Sequence, residues 1–306
     1  MSAVLHRLAS SLVVVLGVTL LTFVVAFVIP SDPARTVAGP KADAQTLAVI
    51  RRDLGLDRPL PAQYAHYVWR LLHADFGRSY LTRQPVLEAI GERLPATAFL
   101  ALVALAVSAG GGVAVGCFTA LQRRPAVDLA VLTVSLAALS LPAFWLGMLL
   151  LYAFGYRLGW FPLGGFGVRN VVLPAVALAL GGAAYYARVV HTSLRGVLAE
   201  EFVRTARAKG LSPLRVYGKH ALRNAILPLV TLLGLDFAGL MSGVVLTETV
   251  FNWPGLGRLA VEAVFNQDIP LIMGTVLFSA LLVVGANVVV DLVYVLIDPR
   301  IRDGRG

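Results

Sequence analysis

Residues Glu201–Pro228 read EFVRTARAKGLSPLRVYGKHALRNAILP. Six basic residues lie in this stretch (Arg204, Arg207, Lys209, Arg215, Lys219 and Arg223) against a single acid, Glu201. Long apolar runs flank it on both sides. Its pattern predicts two short helices. Glu200 and Glu201 open the first, where acids suit the helix dipole, and Arg207 and Lys209 close it, where bases do. Gly210 is a natural stop because glycine accepts a positive φ. Ser212 then reads as an N-cap, with Pro213 at the first helical position. Phe202, Val203 and Ala206 are expected to share one face, while Ala206, Ala208 and Gly210 are small enough for a partner backbone to approach. The residues leave two readings open: a rod that docks a partner protein, or a basic amphipathic loop that lies on headgroups and sets topology.

Working outward, the 306 residues are 58% hydrophobic and 14% charged. Soluble domains carry about 25% charged residues, so lipid is the expected solvent. A span needs about 20 apolar residues, and six stretches qualify, near 8–29, 96–121, 128–154, 171–191, 225–247 and 271–297. The run from Leu8 to Ile29 exceeds the roughly 7–15 residues of a signal-peptide core, so it is read as a retained first span. Bases crowd the loops holding Arg123 and Arg124, Arg195 to Arg223, and Arg300, Arg302 and Arg305. The other short loops hold only Arg157 and Arg169, or Arg258. The positive-inside rule then places both termini in the cytoplasm. The fold class is an all-α membrane protein with six transmembrane helices, N-in and C-in. Its expected parts are 1–30, the first span; 31–95, an extracytoplasmic helical cap; and 96–306, a membrane core with a cytoplasmic loop at 195–224. In the cap, Tyr64, Tyr67, Val68, Leu71 and Leu72 recur at helical spacing, and a second short helix should end near Gly55. The cap either packs on the outer membrane face or docks an external partner.

The net charge of +9 is accounted for by topology, so nucleic acid is not an expected partner. Gly218-Lys219 is followed by His220 and lacks the upstream glycine of a phosphate-cradling loop. Neither H-E-x-x-H nor G-x-S-x-G occurs, and the lone Cys117 cannot form an internal disulfide. No catalytic residue, metal site or bound cofactor is expected. Uphill transport would draw its energy from an ion gradient or from another polypeptide. The first makes the chain a secondary transporter with Asp236 as its cation site; a membrane-embedded hydrolase lacks a nucleophile–base pair.

Charges inside spans cost about 2.5–3.5 kcal/mol at the centre on insertion scales, so Asp236, Glu248 and Asn287, with Trp253 of the following loop, are candidates for the translocation pathway. Asp236 in span five either meets a cationic group in a cavity or makes an internal or inter-subunit hydrogen bond. Glu248 stands at the outer end of that span and reads as structural. Asn287 belongs to span six, as does Asp291, which reads as a helix–helix tie. Trp253, in FNWPGLGRL (251–259), is either an interfacial belt residue or part of a loop dipping toward a pore mouth. Pro142 and Pro228 either kink or terminate their helices.

The run RTARAKGLS…HALRNAILP resembles the coupling loop of ATP-binding cassette importer permeases, in the form of the oligopeptide/dipeptide/nickel branch. LGLDRPLPAQY (54–64), DFGRSY (75–80), PVLEAIGERLPAT (85–97), LPAFWLG (141–147), ETVFNWPGLGRL (248–259) and DLVYVLIDPRIR (291–302) extend the resemblance over nearly the whole chain. It implies the type I importer permease fold and a dipeptide-type permease in the plasma (inner) membrane of a prokaryote. The implied partners are a second homologous permease, two cytoplasmic subunits that bind ATP and Mg, and an extracytoplasmic substrate-binding protein. Arg204, Thr205, Ala206, Arg207, Ala208, Lys209, Gly210 and Leu211 would form the coupling helix. The general motif begins with Glu, where this chain has Arg204. Peptides head the implied substrates, with nickel chelates, glutathione and haem as alternatives.

Overall fold

The computed structural model describes residues 13–25, 33–38, 42–53, 55–122 and 124–297. The ends of the first expected span, Arg123 and the C-terminal arginines fall outside these residues, as does the side chain of Asp291. Among the described residues the chain is helical throughout, with one isolated β-bridge between Arg78 and Pro85. Three helices are long and apolar enough to span a bilayer, and up to five elements qualify if each of two bent pairs is one span.

The helices, in order, are α1 (Val13–Val25), α2 (Pro33–Ala38), α3 (Ala44–Asp53), α4 (Leu60–Leu72), α5 (Val86–Leu121), α6 (Pro125–Ser140) and α7 (Ala143–Leu150). A π-helical stretch, Leu151–Arg157, continues α7. Then come α8 (Val172–Ala199), α9 (Glu201–Ala208), a second π-helical stretch at Arg215–Leu222, α10 (Arg223–Ala225), α11 (Leu227–Met241), α12 (Val245–Val250), α13 (Leu256–Phe265) and α14 (Ile269–Ile297).

The helix that contains the expected second span, α5, begins at Val86, ten residues ahead of it. Its 36 residues make a rod of about 54 Å at 1.5 Å per residue, longer than the roughly 30 Å hydrocarbon core. Glu88, Glu92 and Arg93 lower the hydropathy of its first turns without breaking the helix. The third expected span is not one rod: α6 and the helix from Ala143 to Arg157 meet at 85°. Pro142 explains the break, since a residue before proline is pushed out of the helical region. Leu141 accordingly sits at φ −84, ψ 122, and the Pro142 carbonyl accepts the first bonds of α7 from Trp145 and Leu146. At Pro228 the bend is gentler, 44°.

Two compact units can be distinguished. The first is built from the described residues up to Thr97, with Met241–Val245 and Pro254–Gly285. Here Tyr64 and Tyr67 of α4 pack with Phe23 of α1 and Met273 of α14. Leu72 departs from the expected stripe and is exposed, as is Trp69. A core of Val86, Ala89, Ile90, Leu256, Leu259, Ala263 and Leu271 ties α5, α13 and α14. Asp268 is 2% exposed and caps α14, accepting from the Leu271 N–H at 3.4 Å. The same carboxylate accepts from the Ser79 hydroxyl and, at 3.1 Å, from the Tyr80 N–H. One acid thus joins the 78–85 turn to the start of α14. Burial, with the Asp268 carboxylate next in weight, pushes the Tyr80 phenol up to about 12.

The second unit comprises Ala98–Leu240, Leu246–Trp253 and the described residues from Ala286. Here α5 and α8 approach closely. A Cβ on Gly112 would lie 2.5 Å from Tyr186 Cβ, and one on Gly116 would lie 2.7 Å from the Ala187 carbonyl oxygen. Such small-xxx-small spacing lets helix backbones approach closely where lipid gives no hydrophobic drive.

Gly116→Ile is expected to lower the stability of the detergent-purified protein by about 1–3 kcal/mol or more through overpacking. Gly110→Ala, which meets nothing within 4 Å, is its control in the same thermal-unfolding measurement. Asp268→Ala removes a cap and strands two buried donors, and is expected to cost roughly 2–4 kcal/mol, read as faster proteolysis of the 74–85 segment.

Candidate functional site

α8 runs without interruption from Val172 to Ala199, and the single residue Glu200 (φ −67, ψ 150) separates it from α9. Eight-residue helices are marginal in water on their own, so α9 depends on packing. Val203 (0% exposed) and Ala206 lie against Val216, with Val197, Leu198 and Leu211 around them. Burying a valine side chain is worth about 1.5–3 kcal/mol, enough to hold a short helix in place. Gly210 takes φ +74 and reverses the chain, as its position in the sequence predicts. The second arm follows from Ser212, whose carbonyl accepts from the Arg215 and Val216 N–H groups. Arg207 lies over the Tyr217 ring at 5.7 Å and braces the two arms.

This geometry corrects one detail of the expected docking face. Ala206 is buried within the loop itself, so it offers nothing to a partner, while Phe202 is 42% exposed. The outward face consists of Phe202, Arg204, Thr205, Arg207, Ala208, Lys209 and Gly210, all exposed. It is cationic and carries one large apolar side chain.

The membrane-embedded candidates separate from one another. Asp236 is exposed on α11 and accepts a hydrogen bond from the buried Tyr186 hydroxyl of α8. Glu248 is fully buried in α12. Trp253 is also 0% exposed, packed against Phe99 and Phe166 with ring centroids 6.2 and 5.3 Å away. Its indole is a core anchor rather than a belt residue at the headgroups. Asn287 is exposed on α14. No group of three or more metal-ligating side chains occurs among the described residues. A cluster that the sequence did not single out joins Asp128, His191, Arg195, Thr119 and Gln122. Its only sequence signal is His191 and Arg195 at i, i+4 on one helix.

Comparison with known proteins fits this architecture. Residues 112–303 match the binding-protein-dependent transport system inner membrane component, and residues 1–101 match the N-terminal region of such membrane components. The chain belongs to this family of importer permeases. A Brucella abortus protein named for peptide transport system permease activity is 41% identical over 308 residues, covering 98% of both chains. The glutathione transport system permease protein GsiC of Salmonella choleraesuis is 42% identical over 300 residues, again covering 98% of both. A crystal structure of an amino acid ABC transporter with histidines shares the fold, with TM-score 0.50 at 16% identity over 67% of this chain and 92% of that one. Permease subunits of this kind are not enzymes themselves; ATP hydrolysis is carried out by partner subunits.

A packing test follows from the loop. Val203→Asp buries an unpaired charge and is expected to destabilise the α9 hairpin by several kcal/mol, whereas Arg204→Gln on the outer face changes stability by less than about 0.5 kcal/mol. Limited proteolysis at 200–215 distinguishes the two.

Proposed function

We propose that this chain is one half of the pore of an ATP-driven importer for short peptides, glutathione included. The relatives named for peptide and glutathione transport, aligned end to end, support that substrate class. The observation that carries the coupling reading is α9: its apolar side is filled by its own chain, and its cationic side is open. A second permease of the same family completes the pore. Two cytoplasmic subunits binding ATP and Mg grip the outward side of residues 204–211, formed by Arg204, Thr205, Arg207, Ala208, Lys209 and Gly210, and an external binding protein delivers substrate. Both termini face the cytoplasm of a prokaryotic cell, and residues 31–95 form the external cap.

In this mechanism ATP binding draws the two motor subunits together and carries α9 with them. α8 is continuous with α9 except at Glu200, so the displacement enters the membrane along it. The cavity opens outward, substrate enters, and hydrolysis resets the pore. Asp236 and Asn287 face the pathway, since a carboxylate within a span must face water or protein. With Tyr186 holding one oxygen, the Asp236 carboxylate is available to the amino group of a peptide. Glu248 and Trp253 shape the neighbouring loop from within.

The double variant Arg204→Glu/Lys209→Glu is expected to insert normally but lose the copurifying ATPase subunits and all uptake. Uptake with normal ATP consumption would overturn the coupling reading, as would flux driven by a gradient through the solitary chain. Asp236→Asn is expected to raise KM for alanyl-alanine roughly 10-fold or more, the worth of a charged hydrogen bond, in reconstituted vesicles. Competition by nickel chelates or haem, with none by peptides, would reassign the substrate.

A further inference from the structure

Asp128 lies in the first turn of α6. Its Oδ1 is 3.0 Å from His191 Nε2 and 3.0 Å from an Arg195 guanidinium nitrogen, both on α8. A carboxylate only accepts hydrogen bonds, so His191 Nε2 carries the proton it donates. His191 Nδ1 lies 3.0 Å from the Thr119 hydroxyl near the end of α5. The same Arg195 nitrogen donates to the Gln122 carbonyl at 2.7 Å, in the connection that follows α5. One helical turn of α8 therefore grips the end of α5 and the start of α6 together. Ala199, where α8 ends before α9, is only four residues beyond Arg195.

The cluster is poorly explained as a source of stability. The Asp128 side chain is 45% exposed and that of Arg195 33%, and ion pairs this open contribute about 0–1 kcal/mol. Its placement is the informative feature. A force applied at α9 reaches α8 directly along the helix. To reach α6 close to α9 it has a polar lateral link in Asp128, whose two donors sit on the same face of α8. A second polar tie between α6 and α8, from the Ser135 hydroxyl to the Ala184 carbonyl at 2.8 Å, lies about two turns further from α9. Apolar contacts in this region, such as Ala120 on Leu194, resist separation of the helices but give little resistance to sliding. Charge-assisted hydrogen bonds are directional and resist both.

We propose that Asp128, held by His191 and Arg195, is the joint that transmits displacement of α9 from α8 to α6. It is a positioning residue and touches neither substrate nor nucleotide. The inference rests on the reading of Glu201–Leu211 as the surface an ATPase subunit grips. The test uses the complete importer in vesicles, with alanyl-alanine uptake and ATP hydrolysis measured on one preparation. Asp128→Asn keeps the shape and removes the charge. The expected result is an assembled complex whose ATP hydrolysis stays within about twofold, while peptide carried per ATP falls roughly 10-fold, within the range of a coupling free energy between two sites. The charge swap Asp128→Arg/Arg195→Asp is expected to recover part of that ratio. A merely structural role would show instead as lost assembly, with peptide carried per ATP unchanged in whatever complex remains. An unchanged ratio in Asp128→Asn overturns the proposal, even where Arg204→Glu/Lys209→Glu still releases the ATPase, and the coupling reading then stands alone. If Asp128→Asn does not assemble, Arg195→Lys, which retains the cation but loses the planar fork, is measured the same way, and an unchanged ratio there is equally decisive. If instead the α9 double variant couples normally, the coupling reading fails whatever Asp128→Asn shows.

Discussion

The close approach of α5 and α8 at Gly112 and Gly116 is the constraint on which the second unit depends. With no side chain at either position, the α5 backbone comes within reach of Tyr186, Ala187 and Val190. That contact fixes the rotation of α8. Once α8 is fixed, Tyr186 meets Asp236 of α11, and Val190 packs with Tyr186 and Leu229. One turn further on, His191 and Arg195 meet Asp128. Lipid offers no hydrophobic reward for helix association, so the fit of small residues has to supply it. A single added methylene at Gly116 would be felt in every contact downstream.

The exposed helix at 201–208 illustrates a different balance. It is too short to be stable by itself and too polar on its outer face to be stabilised by lipid burial. Its order comes from Val203 and Ala206 packing into the second arm of the same loop. The outer face, Arg207 on Tyr217 excepted, is thereby free of structural duty. Glycine at 210, with its positive φ, allows both arms to pack without strain at the reversal.

Local features were the legible ones. The short helix at 201–208, its stop at Gly210, the Tyr64/Tyr67 stripe of α4 and the apolar runs all follow from periodicity and turn chemistry within about 10–20 residues. Hydropathy marks the apolar part of α5 but not its first turns, because charge on a helical turn looks the same as charge in a loop. It also joined α6 and α7, since an apolar composition continues straight through the bend that Pro142 imposes. The non-local contacts gave no signal. Ser79 and Asp268 are 189 residues apart in sequence and Thr119 and His191 72 apart, and nothing in either neighbourhood names its partner. Ala206 was misjudged for a related reason: smallness suits both a docking face and a tight internal contact, and only the fold decides between them.

The burial of Trp253 has a consequence for how the 251–255 turn can move. Its indole is enclosed by Phe99 and Phe166, and Phe251 beside it is packed among Leu173 and Ala177. Swinging the turn out alone would leave a void the size of two aromatic rings, at about 3–5 kcal/mol for each ring withdrawn. With both rings withdrawn, thermal energy alone populates such a state less than about once in ten thousand visits. The turn therefore travels as cargo on the helices that enclose it, and its timing is set by them rather than by its own flexibility.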